Sequence, residues 1–102
     1  MFHYTDSKGH KAISSQVDWT FKASQPPGDH ERGAYFTTLR LSDNRFSART
    51  RIPKIKQEFV FRGQERLLPT EGGRGAYIFW TPADYVVERQ RQVYDGATEG
   101  VP

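Results

Sequence analysis

The sequence predicts an α+β domain, with short helices in its first half and a largely antiparallel strand system in its second. Three observations carry this. The apolar content sits in rings: seven Phe, five Tyr and two Trp in a chain that is only 35% hydrophobic, and rings suit half-buried pleated surfaces. Two short helices are predicted early, starting at Asp6 and at Ser42 or Asp43, whereas the later apolar runs are short and bounded by Gly or Pro. The length, 102 residues, allows one domain with a modest core.

Residues 2–5 read as a strand of aromatic and β-branched residues. Asp6 caps a helix running to about Gln16, with Ala12 and Ile13 facing inward and Gly9 weakening it. Residues 17–21 are extended. Residues 24–33, which hold Pro26-Pro27-Gly28, form a surface loop. Residues 33–41 are the next strand, and Ser42 or Asp43 starts a short helix to about Arg49. Ile52-Pro53 interrupts the pattern. Residues 57–62 are a strand ended by Gly63. Residues 69–75 are a glycine-rich loop, and residues 76–80 are a strand closed by Thr81-Pro82. Residues 85–88 form another strand, which residues 92–94 extend. The domain is expected to span 1–94, with 95–102 a flexible tail.

The absence of cysteine excludes disulfides, thiolate zinc sites and a cysteine nucleophile. The three histidines show no ligand spacing, so no metal is expected. No apolar run reaches membrane-spanning length, and there is no secretory signal. Met1 stands directly before the first strand, which reads as a domain excised from a longer protein. The net charge of +3 favours anionic contacts such as pyrophosphate or nucleic acid.

Three segments carry candidate chemistry: His3-Tyr4-Thr5 on the opening strand, Gly33-Ala34-Tyr35-Phe36-Thr37, and Gly72-Gly73-Arg74-Gly75-Ala76-Tyr77-Ile78-Phe79-Trp80. Taken singly, they read as an ordinary half-buried histidine, a plain aromatic strand and a flexible entry turn. The last precedes a strand and lacks a GKS/T, so it is not a P-loop. Their order resembles the ADP-ribosyltransferase superfamily, in its histidine–tyrosine–glutamate branch, and is most similar to the small HYD-type transferase domains. The resemblance spans Phe2 to about Glu88. It implies two small, mainly antiparallel sheets around an NAD cleft, and an enzyme that transfers ADP-ribose from NAD+ to a macromolecule with release of nicotinamide.

By that resemblance His3 bonds the adenosine-side ribose, the Tyr4 backbone grips the nicotinamide amide beside Thr5, and Tyr35 stacks on the nicotinamide ring. Phe46 closes the sandwich where the family usually has tyrosine. Two electron-rich faces suit the cationic nicotinamide ring. His3 and Tyr35, on neighbouring strands, are expected to reach one cleft. The family's catalytic glutamate falls at Ala76, which can neither hold the ribose hydroxyl nor stabilise the charge that develops as nicotinamide leaves. Such a loss costs on the order of 10²–10⁴ in rate. Ala76 reads as an engineered inactivation, or as the native residue of a pseudoenzyme.

Glu58, Glu71 and Glu88 are expected to be solvated. Trp19 and Trp80 are expected in the core or on a cleft wall. Arg45, Arg49, Arg51, Lys54 and Lys56 form a basic cluster, read as a solvated face or as a contact for pyrophosphate, a nucleic-acid acceptor or an acidic partner such as an immunity protein. Arg74 stands where the arginine-modifying branch has glutamate or glutamine, so arginine modification is not supported. The expected setting is a monomeric toxin or effector domain of a larger secreted protein, acting in a target-cell cytoplasm. Water as acceptor makes the domain an NAD+ glycohydrolase. A catalytically dead NAD-binding module and a small basic nucleic-acid-binding domain are the alternatives.

Overall fold

The computed structural model describes residues 1–25, 31–39, 57–70 and 77–98. The predicted helix after Ser42, Phe46, the basic cluster, Glu71, the glycine loop and Ala76 lie outside them. The described elements are β1 (Phe2–Thr5), α1 (Ser7–Ser14), β2 (Trp19–Phe21), β3 (Ala34–Thr37), β4 (Gln57–Phe61), β5 (Leu68–Pro69), β6 (Ile78–Thr81), β7 (Tyr85–Val87), a 3-10 turn over Arg89–Arg91, and β8 (Gln92–Ala97).

The class is α+β with two antiparallel sheets. One has six strands in the order β5-β6-β3-β1-β4-β8, and the other pairs β2 with β7. Asp6 is the helix cap, its carboxylate accepting from Gly9 N–H at 2.8 Å, which satisfies a donor that the first helical turn leaves open.

The main core lies between the sheets. Phe36 of β3 with Phe59 and Phe61 of β4 meet Trp19 and Phe21 of β2 and Tyr85 and Val87 of β7. The rings pack largely edge to face, as in Phe21 against Phe36 at 5.2 Å and 87°, the arrangement that ring quadrupoles favour. Six large rings therefore replace the aliphatic bulk that the composition lacks. On the outer face of the large sheet, Phe2, Tyr4, Leu39 and Val60 form a second cluster.

Several expectations are corrected. Residues 92–94 do not extend β7. They begin β8, which pairs with β4 in the other sheet. β8 runs to Ala97, so Asp95, Gly96 and Ala97 belong to the sheet, and the boundary drawn at residue 94 falls inside a strand. In α1 Ile13 packs on the core and the His10 ring lies against Phe59, while Ala12 is exposed. β6 begins at Ile78, after Tyr77.

Candidate functional site

The described parts of the three sequence segments, far apart in the chain, fall on or beside three neighbouring strands, β1, β3 and β6. β3 and β6 pair over four residues, from Ala34↔Thr81 to Thr37↔Ile78. β1 and β4 also pair over four, from Phe2↔Val60 to Thr5↔Gln57. Between β1 and β3 the ladder holds one described pair, Phe2↔Thr37. The large sheet is thus two three-stranded halves joined at one end of β1.

His3 stands where that ladder stops. Its Nδ1 bonds the Tyr35 carbonyl oxygen at 3.0 Å. A carbonyl only accepts, so Nδ1 carries the hydrogen and Nε2 keeps its lone pair. The imidazole leans on the rings of Phe21, Phe36 and Phe59. Burial among them pushes its pKa down, opposed in part by the bond to Tyr35. His3 is therefore a neutral, oriented acceptor.

Side chains alternate faces along a strand. With Phe2 opposite Thr37, Phe2, Tyr4, Tyr35 and Thr37 share the outer face, and His3, Thr5, Ala34 and Phe36 face the core. The expectation that the His3 and Tyr35 side chains enter one cleft is corrected. His3 meets Tyr35 through its backbone, and the two side chains leave the sheet on opposite sides. The end of the β1–β3 ladder is where they come nearest.

Tyr4 is buried, its hydroxyl donating to Leu39 O at 2.9 Å. Thr5 faces α1, its hydroxyl filling the space beside Gly9. Tyr35 is half-buried, with its ring stacked on Trp80 at 5.9 Å and 18° and its hydroxyl donating to the Glu31 carbonyl. Burial, and then the Glu31 charge, hold this phenol above its ordinary pKa, so it stays neutral.

Trp19 is a core ring, whereas Trp80 stands half-buried on the outer face. Gly33 lets it lie there: a Cβ on Gly33 meets Trp80 Cε3 at 2.9 Å and the Thr81 carbonyl oxygen at 2.4 Å. Glu58 corrects the expectation of a solvated carboxylate, since it is 2% exposed and opposite Tyr4 on the outer face. Glu88 is half-buried and paired with Arg91 at 3.5 Å.

Sequence reasoning missed Arg91. Its Nε donates to Arg62 O at 2.8 Å, and one terminal nitrogen reaches the Tyr85 hydroxyl at 2.8 Å and the Glu65 carboxylate at 3.2 Å. The guanidinium also lies 5.5 Å from the ring centres of Phe61 and Tyr85. An arginine in a short polar turn between two strands gives no linear signal of such a clasp.

No cluster of metal-ligating side chains is present among the described residues, and no helix among them is long and apolar enough to cross a membrane. Comparison with protein-family models, with curated proteins and with solved structures finds no match to this chain.

Proposed function

We propose that this chain is an NAD+-binding domain of the ADP-ribosyltransferase type, of the mono-transferring toxin or effector kind, and that Ala76 makes it inactive. One observation supports the reading above all: the described parts of the three motif segments lie on or beside adjacent strands, with His3 tied to the Tyr35 carbonyl where the β1–β3 ladder ends.

In this reading NAD+ binds across the end of the β1–β3 ladder. The bare Nε2 of His3 accepts a hydrogen bond from the adenosine-side ribose. The Tyr4 backbone and Thr5 border the nicotinamide amide, while Tyr35 offers a ring face to the nicotinamide and Phe46 covers the other side. The bond between C1′ and the nicotinamide nitrogen then breaks. Nicotinamide leaves with the bonding pair, a nucleophile of a macromolecular acceptor attacks C1′, and its proton passes to solvent. A carboxylate at position 76 would stabilise the positive charge developing on the ribose; alanine offers none.

The test has two steps. NAD+ is titrated calorimetrically into the protein and into Tyr35→Ala and His3→Ala, each expected to weaken binding at least several-fold, since loss of a stacked cation–ring face costs on the order of 1 kcal/mol. Nicotinamide release is then measured for Ala76→Glu, with protein, RNA and water as acceptors. If both binding variants hold NAD+ as well as the starting protein, the site assignment fails. If Ala76→Glu folds and binds NAD+ yet releases no nicotinamide, only the binding-module reading survives.

A further inference from the structure

The register places three apolar residues in one line across three strands. Leu68 of β5 is opposite Trp80 of β6, and Trp80 is opposite Tyr35 of β3. All three point to the outer face of the large sheet, away from the core between the sheets. Leu68 is 52% exposed, and Trp80 and Tyr35 are half-buried with their rings nearly parallel. Strands lie about 4.8 Å apart, so the row is an apolar strip about 10 Å long. Gly33 keeps its floor low enough for the indole.

Two cations stand at one end of this strip. β5 and β3 both run antiparallel to β6, and so parallel to each other. Arg66, two residues before Leu68, and Arg32, two before Ala34, therefore lie toward the same end of the sheet. Both are exposed, and neither has an ion-pair partner among the described residues. Arg66 holds a positive φ of 67°, which sets it on a tight turn rather than in the strand.

We propose that the Leu68–Trp80–Tyr35 row is a docking strip for single-stranded nucleic acid, with bases stacking on Trp80 and Leu68 and the backbone phosphates meeting Arg32 and Arg66. Aromatic faces that accept any base, flanked by exposed guanidinium groups, match a single strand, whose bases are free to stack. The strip is too shallow for a duplex, whose bases are already stacked inside. The net charge of +3 favours a polyanion. Docking itself does not depend on the NAD+ reading. What does rest on that reading is the role of the docked strand as ADP-ribose acceptor, since Tyr35 lies at the end of the row nearest β1.

The test is a titration with single-stranded oligothymidylate, without NAD+, followed by tryptophan fluorescence and by anisotropy of a labelled oligonucleotide. Trp19 is 3% exposed, so quenching reports Trp80. Saturable quenching is expected. Trp80→Leu should weaken binding roughly five- to a hundred-fold, the range of one lost base–aromatic stack. Arg32→Ala with Arg66→Ala should lower the salt slope by about 1.4, for two phosphate contacts.

Leu68→Glu serves as a second variant, because its side chain is too exposed to unfold the domain. It should weaken binding as well. The proposal is overturned if the indole is not quenched, if Leu68→Glu and a folded Trp80→Leu bind like the starting protein, or if a duplex or an acidic peptide binds equally well. Calorimetry with NAD+ on the same samples reads the nucleotide site separately, so failure of the strip and failure of the NAD+ site are distinguishable.

Discussion

Gly33→Ala is expected to be costly although it adds a single methyl group. The backbone at Gly33 is fixed on one side by reciprocal bonds with Ser24, both 2.9 Å. On the other side stands β6, locked to β3 by the Ala34↔Thr81 pair. The new Cβ falls 2.4 Å from the Thr81 carbonyl oxygen and 2.9 Å from the Trp80 ring. Both contacts are well inside van der Waals separation, and the closer one is to backbone, which cannot rotate away. Overpacking of this kind costs about 1–3 kcal/mol, and each kcal/mol lowers the melting temperature of a domain this size by roughly 4–8 °C. Urea unfolding followed by far-UV circular dichroism gives the stability, and the indole emission of the native state reports whether Trp80 has left Tyr35. A Gly33→Ala protein within about 0.5 kcal/mol of the parent, with unchanged emission, would refute the claim that Gly33 seats the indole.

Gly9→Ala meets a different obstacle, the Thr5 hydroxyl at 2.2 Å. It is expected to be clearly destabilising alone, but to stabilise a Thr5→Ala background by about 1 kcal/mol, the helix preference of alanine over glycine; a thermal-melt double-mutant cycle measures this. Arg91→Ala should cost about 2–3 kcal/mol, the worth of charge-assisted bonds at a half-buried site. Arg91→Lys should recover little, because one ammonium cannot span the Arg62 carbonyl and the Tyr85 hydroxyl; denaturant midpoints of the two variants decide it. His3 is held below its ordinary pKa of 6.5 by burial, so below pH 6.5 the unfolded chain binds more protons than the native one. Its contribution is therefore intact above pH 6.5 and is lost as the pH falls toward the lowered folded value. Urea midpoints from pH 7.5 to 5 should decline more steeply for the parent than for His3→Asn.

Local signals carried the first turn of the fold far: the Phe2–Thr5 strand, the Asp6 cap, and the β4 and β7 runs are all short-range patterns. Strand pairing is not short-range. β8 contains Asp95 and Gly96, poor strand formers, and is extended because β4 supplies its ladder. The alternation of Phe2 and Tyr4 against His3 and Thr5 was readable. Which of those faces holds Tyr35 was not, because that depends on the register Phe2↔Thr37. A slip of one residue would have put His3 and Tyr35 on the same side. Glu58 looked solvated because it is charged, but neighbouring elements bury it. The Leu68–Trp80–Tyr35 row is likewise invisible along the chain, since its members are neighbours only across strands.

β1 comes first in the chain, yet it lies inside the large sheet, with β3 on one side and β4 on the other. Its ladder partners are Thr37 and residues 57–60, so β1 cannot settle in the sheet until residues up to about 60 are available to pair with it. Phe2 and Tyr4 must wait unpaired in the meantime. Closing such long loops before any contact rewards them slows folding, and places this domain with the slower, non-locally wired folders rather than with helical domains of its length. Whatever fixes β1 early, such as a bound ligand bridging it to β3, would then act on the rate of folding as well as on the stability of the product.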